Sequence, residues 1–509
     1  MDGASLKDLF LKSVSKSGEK KAISFLRDGV IETEMSYEDL DRDSNRAANR
    51  FLDLGIQRGD RVILCLEKSL FLVVAHLAVQ KIGAISVPLN PGFLESEMSY
   101  LLKDADPKLA ISGPAQARVF EKIAPSVTTI VIHTDRPYQD LDFFVSASDE
   151  IKQTELKPED PGLLVYTSGT TGEPKGALLT QGNLVHDARN VVDIWEIGES
   201  DVFCHALPLF HVHGLCFALH TALIAGSHLV MLDSFKPEKV IEALSRKEGN
   251  YSCTLFMAVP TMYGKLMDYL GDRRPDFDHI RLWTSGSAPL LVKDFERIRR
   301  VFGKEPVERE GMSETGMNFS NPITGIRKPG SIGLPLPGLD VRIVDLETFE
   351  DVPQGQEGEI WLRGPGVAPG YWRKPEETKR AFKDGWFRTG DLGKVDGDGY
   401  YYLTDRLKHI IISGGENISP KEVETVIDRI EGVVESCVVG APDPTWGEKV
   451  VAAVVKAVGS PIQANGIQNY CKGHLQKWKC PKEIVFVDEL PKNRMGKVLK
   501  EQVKKLFLV

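Results

Sequence analysis

The sequence predicts an α/β protein: a large N-terminal domain of parallel βα sheets, a β-rich subdomain, and a small α+β C-terminal domain. Three observations carry this reading. Apolar, β-branched runs alternate with helical patterns through the first half of the chain. After about residue 325 the texture changes to short strands between Gly/Pro turns. Near Asp405 it changes again, into about a hundred residues that open on a capped helix, a size at the lower end for an independent domain.

Residues 61–88 read as strand, helix and β-branched strand ending at Pro88, a βαβ unit. The alternation recurs over 162–186 and 228–260. In such sheets ligands bind outside the carboxyl ends of the strands. In the C-terminal part, Ser419 is expected to cap a helix with Pro420 at its first position and Glu422 completing a capping box. Val423, Val426, Ile427 and Ile430 form its apolar stripe. These marks set the domains at 1–404 and 405–509.

A chain of 509 residues exceeds one hydrophobic core and suggests two to four structural units. With 42% hydrophobic and 27% charged residues it reads as globular, and a formal charge of −9 gives no general attraction to nucleic acid or anionic lipid. Small molecules are the expected partners, and an anionic ligand must be held by local donors. No apolar run is long enough to span a bilayer; the longest candidate, Leu70 to Val79, contains His76 and stops at Gln80-Lys81. Neither end carries a recognisable targeting signal, so a cytoplasmic location is expected. Seven scattered Cys, never spaced C-x-x-C, argue for reduced thiols and against a structural zinc site. The sequence leaves the oligomeric state open.

The densest chemistry lies in "LLVYTSGTTGEPKGALLT", Leu163 to Thr180. It is not a Walker A loop, because Gly172 is followed by Glu173-Pro174-Lys175-Gly176 and no hydroxyl residue follows the lysine. A Gly-rich turn alone is equally a structural feature. Here Thr167, Ser168, Thr170 and Thr171 add hydroxyls, Gly169 and Gly172 let backbone N–H groups approach an anion, and Lys175 adds charge. A turn has no structural need for so many donors.

This stretch resembles the phosphate-binding loop of the adenylate-forming superfamily of acyl-CoA synthetases, luciferases and peptide-synthetase adenylation domains, where it wraps the triphosphate of ATP. Further motifs follow in order over nearly the whole chain. "EGMSETG" is similar to the second nucleotide motif, which implies Ser313 at phosphate and Glu314 helping to hold Mg²⁺, a hard cation suited to oxygen ligands. Glu310 stands where the family usually packs an aromatic residue on adenine. "GWFRTGDLG" contributes Asp391 as the expected acceptor for both ribose hydroxyls, and Arg406 resembles a second ribose contact. Lys408 falls at the interdomain hinge, with His409 where an acid is common. Gly414 and Gly415 match glycines beside the pantetheine arm of CoA, and Lys497 in "LPKNRMGKV" matches the catalytic lysine of adenylation. Outside that setting, a lysine in a basic tail is usually a solvated charge.

The resemblance implies an AMP-forming acid–CoA ligase with ATP and CoA as cosubstrates. A carboxylate first attacks the α-phosphate of ATP; the small mobile domain then turns about its hinge and brings thiol to the acyl-adenylate. The implied acyl pocket comprises His211 and His213 in "LPLFHVHGL", with Gly286 and Ser287 in "SGSAPL". His211 occupies the position where peptide-synthetase domains carry an Asp. The overall look is nearest the malonyl-CoA synthetase branch. A short diacid needs a cation or strong donors at its distal carboxylate, for which His213 and Arg281 are the candidates. A medium-chain fatty or aromatic acid is the alternative, and so, from another class, is a nucleotide-binding protein without catalysis. Luciferase-like oxidation shares the same motifs.

Overall fold

Segment 61–88 folds as strand Arg61–Cys65, helix Leu70–Lys81 and strand Ile85–Pro88, with the two strands parallel and adjacent. The computed structural model describes residues 3–144, 147–151, 154–167, 173–247, 249–413, 416–492 and 498–508. Ser69 caps the helix by accepting from the Leu72 N–H at 3.3 Å, and every residue of the helix is buried. A helix covered on all sides accounts for the unbroken apolar run. His76 is accommodated there by Ser86 Oγ at 2.9 Å and His220 Nε2 at 2.8 Å. Among the described residues, no helix is long and apolar enough to cross a membrane.

The chain forms two compact units, 1–340 with 363–387, and 341–362 with 388–509. The first contains two large sheets. One has six strands in the order Thr128–Val131, Leu109–Ser112, Arg61–Cys65, Ile85–Pro88, Pro161–Thr167, Lys175–Thr180, all parallel except the last. The other has nine, with a parallel core of Val307–Met312, Leu282–Ser285, Leu255–Ala258, Val202–His205, His228–Leu232 and Lys21–Arg27, and antiparallel strands at both edges.

One expectation needs correction. Segment 162–186 is not a simple βα repeat: Pro161–Thr167 pairs antiparallel with Lys175–Thr180, which begins after seven intervening residues, and only then does helix Gln181–Ile194 begin. So short a connection can close a hairpin but not a parallel crossover, which needs a dozen residues or more. In 228–260 the strands His228–Leu232 and Leu255–Ala258 are parallel as expected, but Val202–His205 lies between them.

The second unit holds most of a sheet containing Asp340–Val344, Gly358–Arg363, Trp386–Val395 and Tyr401–Arg406. It also holds a five-stranded sheet in which Val433–Asp443 and Gly447–Lys456 form a long hairpin. Helix Pro420–Ile427 buries Val423, Val426 and Ile427 against this sheet's core, with Ile430 beside them. Ser419 accepts from the Glu422 N–H at 3.2 Å, but the capping box is only half made. The Glu422 carboxylate accepts from Lys479 Nζ at 2.8 Å, while Asp405 Oδ2 accepts from Ser419 Oγ at 2.6 Å and the Lys421 N–H at 2.8 Å. A carboxylate on a helix N-terminus gains from the orphan N–H groups and the dipole, so Asp405 supplies the second cap.

Candidate active site

In the first unit, Thr167 comes close to Glu314 in the turn after strand Val307–Met312, with Lys175 beside them. Thr167 ends its strand, and its Oγ1 lies 3.4 Å from Glu314 Oε1 and 3.4 Å from the Lys175 carbonyl. Lys175 Nζ sits 5.3 Å above the Tyr371 ring, and the Tyr371 hydroxyl donates to Glu314 Oε1 at 3.0 Å. Burial and the Glu314 charge push the Tyr371 pKa up, so it serves as a hydrogen-bond donor. The Glu314 carbonyl accepts from the Ala368 N–H at 2.8 Å, and the Trp372 N–H donates to Gly176 at 2.8 Å. Segment 368–372 thereby braces both Glu314 and the strand carrying Lys175.

Sequence reasoning missed Tyr371, whose only signal was the aromatic pair Tyr371-Trp372 after a Gly/Pro turn. Ser168, Gly169, Thr170, Thr171 and Gly172 lie outside the described residues. Ser313 is half-buried in the Met312–Gly316 turn, and Gly316 adopts φ +71° there. Glu310 accepts from Asn318 Nδ2 at 3.0 Å across the hairpin. Glu314 and Thr167 are the oxygen donors suited to Mg²⁺. One carboxylate fits a cation that takes its remaining ligands from phosphate and water. No group of three or more His, Cys, Asp or Glu suited to a metal occurs among the described residues.

The predicted acyl-pocket residues His213, Gly286 and Ser287 also meet. His213 Nδ1 lies 3.2 Å from Ser287 Oγ, and Ser287 takes φ +66°, a strained conformation for a non-glycine residue. A Cβ on Gly286 would fall 2.6 Å from Arg309 Nε, so only glycine leaves room for that guanidinium. Arg309 is 2% exposed, lies 4.8 Å from the Phe217 ring, and has no hydrogen-bond partner for any of its three side-chain nitrogens among the described residues. Burial lowers its pKa to about 10, with Glu310 and Asp187 acting in the opposite sense. Burial pushes His211 down to about 4 and His213 well below its ordinary value, Arg309 adding to the latter. Both histidines are therefore neutral near pH 7.

Arg281 is the exception, and the expectation that it faces the acid is corrected. It precedes strand Leu282–Ser285, at the amino end rather than the carboxyl end. Its Nε and Nη2 each donate to Asp201 at 2.8 Å, and Nη1 and Nη2 donate to the carbonyls of Trp195 and Glu196 at 3.0 Å. Four of the five guanidinium N–H donors are thereby engaged, and the bidentate face that would grip a carboxylate is held by Asp201. Arg281→Met is expected to cost about 2 kcal/mol of stability in a denaturant titration, by leaving the buried Asp201 carboxylate without its cation and with only Thr254 and the Gly198 N–H as donors among the described residues, and to lower turnover of every acid alike.

In the second unit, Asp391 and Arg406 are opposite one another on neighbouring strands, with Nε 2.7 Å from Oδ1. Asp391 is buried and Arg406 more open. Lys408 lies in the short turn Leu407–His409. Gly414, Gly415 and Lys497 lie outside the described residues.

Comparison with known proteins adds independent findings. The model of the AMP-binding enzyme family matches residues 10–372, and that of the AMP-binding enzyme C-terminal domain matches 422–497. The chain is 36% identical over 489 residues to the mitochondrial malonate–CoA ligase of Mus musculus, covering 89% of this chain and 82% of the other. It is 34% identical to the oxalate–CoA ligase of Arabidopsis thaliana, covering 100% and 99%. The crystal structure of ATP-bound MatB from Rhodopseudomonas palustris superposes with a TM-score of 0.92 at 38% identity, covering 99% of both chains. Two family models spanning most of the chain and full-length likeness to CoA ligases place it beyond a shared fold: it belongs to the AMP-binding enzyme family, as an AMP-forming acid–CoA ligase that uses ATP and CoA.

Proposed function

We propose that the acid is malonate or a closely related short diacid. The observation that carries this reading is Arg309, a buried guanidinium without a hydrogen-bond partner among the described residues, set against Gly286 and near His213. An uncompensated buried charge is costly, and a carboxylate arriving with the substrate would relieve that cost through two parallel charge-assisted bonds. A fatty or aromatic tail would instead bring carbon against the cation. The names of the mouse and Arabidopsis relatives agree with a short diacid.

In this reading the distal carboxylate binds Arg309, with His213 and Ser287 as neutral donors, while the reacting carboxylate is left toward ATP. The loop Thr167–Gly172, including Ser168, Gly169, Thr170 and Thr171, cradles phosphate with Lys175 and Ser313. Glu314, oriented by Tyr371 and Thr167, would help hold Mg²⁺, which when bound would supply Lewis-acid stabilisation of charge on the phosphoryl oxygens. Asp391 and Arg406 take the ribose, and Lys497 stabilises the α-phosphate as carboxylate attacks and pyrophosphate leaves.

For the second step we infer that residues 405–509 turn about Lys408, withdrawing Lys497 and bringing Gly414-Gly415 to the CoA arm. The two Asp405 bonds to the start of helix Pro420–Ile427 support assigning Asp405 to the moving part. A cytoplasmic location belongs to the same proposal, supported by seven free, buried thiols.

Pyrophosphate release with Mg-ATP and CoA, run against malonate, methylmalonate, oxalate, acetate, octanoate and benzoate, tests the substrate. Malonate or a close diacid should give the highest kcat/KM. Preference for octanoate or benzoate would overturn the diacid reading.

A further inference from the structure

We propose that Lys68 is a positioning residue for the acid site, holding the Leu207–Leu215 segment, which leads into helix His213–His220, in place through His205. The inference rests on the assignment of that segment to acid binding and names a residue acting on it from outside.

Lys68 lies in the turn between strand Arg61–Cys65 and helix Leu70–Lys81, at the carboxyl end of the six-stranded sheet. His205 ends strand Val202–His205 at the carboxyl end of the nine-stranded sheet. Lys68 Nζ lies 2.8 Å from His205 Nδ1 and donates to the His205 carbonyl at 2.8 Å. Both contacts are on one residue, and among the described residues no carboxylate forms an ion pair with Lys68; Asp233 acts on it only from a distance.

The Gly214 carbonyl can only accept, so Nε2 carries the proton and Nδ1 accepts from the Lys68 amine, which donates in either of its protonation states. The assigned contact of Nε2 is the Gly214 carbonyl, at 2.9 Å. Burial and the adjacent Lys68 push the His205 pKa down to about 3, which keeps one N–H on the ring. Lys68 thus holds the ring in the tautomer and orientation that reach Gly214.

The backbone at the start of that helix has no slack. A Cβ on Gly214 would fall 2.1 Å from the Pro208 carbonyl oxygen, and the Leu215 N–H is bonded to the His211 carbonyl at 2.9 Å. Gly214 is covalently joined to His213, the residue beside Ser287. A displaced Gly214 carbonyl therefore re-aims the His213 ring. Burial draws the Lys68 pKa down to about 7, a cost an apolar residue would avoid if the turn needed only packing.

The test measures KM for acid, KM for ATP, kcat and the melting temperature on the full-length protein. Lys68→Met should raise KM for malonate at least tenfold and leave KM for ATP within twofold. His205→Phe should do the same, and the double variant should be no worse than either single one, because the two act as one unit. Unchanged acid KM, equal shifts for acid and ATP, or additive losses would overturn the proposal. Lys68→Arg keeps the charge but misplaces the donors. It should also raise the acid KM, and it decides the matter if Lys68→Met does not fold; full activity in it would assign the effect to charge and overturn the positioning role. If the substrate panel prefers another acid, the same constants are taken with that acid. The diacid reading then fails on the panel, while the role of Lys68 is judged by the split between acid and ATP.

Discussion

Arg309→Met is expected to lower kcat/KM for malonate by about 10²–10⁴-fold, the loss of two charge-assisted hydrogen bonds at about 1.5–3 kcal/mol each. A monoacid of similar length should be affected far less. The same substitution should stabilise the unliganded protein by about 1–4 kcal/mol, since it removes a buried cation that has no hydrogen-bond partner among the described residues and leaves a side chain of similar volume. Opposite signs for stability and activity distinguish a ligand-binding charge from a structural one. Malonate should raise the melting temperature of the wild type but not of the variant, as linkage requires of a ligand that binds only the native site. A destabilised variant with equal losses on diacid and monoacid would show that Arg309 holds the fold, and would remove the main support for a diacid.

Glu314→Gln is the second large effect. The amide keeps the size of the side chain and can still accept from Tyr371, but loses the charge that suits it to Mg²⁺. Pyrophosphate release should fall about 10²–10³-fold, the scale of removing one preorganised electrostatic group. Thioester formation from a supplied acyl-adenylate should fall much less, because that step does not transfer a nucleotidyl group. Equal losses in both half-reactions would exclude a role confined to adenylation. Tyr371→Phe provides the graded comparison, since it removes the hydroxyl and leaves the ring beneath Lys175.

Both experiments bear on residues of different visibility. Glu314 stands in a contiguous motif, so its identity could be read directly, and its approach to Thr167, from the other large sheet, agrees with that reading. Arg309 lies four residues before Ser313 in the same stretch, yet within a strand it is one charged residue among several. Arg281 and Arg309 look alike in sequence, one just before a strand and the other within one. What separates them is Asp201, 80 positions from Arg281, which satisfies one guanidinium, and Gly286, which opens space for the other. Long-range pairing of this kind leaves no periodicity or spacing to read. The same holds for Lys68 and His205, 137 positions apart.

Local information carried the alternation of apolar strands and helices, the capped start of helix Pro420–Ile427 and the ordered nucleotide motifs, because each depends on residues a few positions apart. The 168–174 connection was misread because a hairpin and a crossover begin with the same strand pattern, and only the partner strand distinguishes them. Tertiary packing alone decided which arginine is left without a partner, which tyrosine orients Glu314 and which lysine reaches the acyl loop. Those outcomes depend on where distant backbones bring polar atoms together once water is excluded, and the cost of leaving such atoms unpaired is set by the folded surroundings rather than by the residue itself.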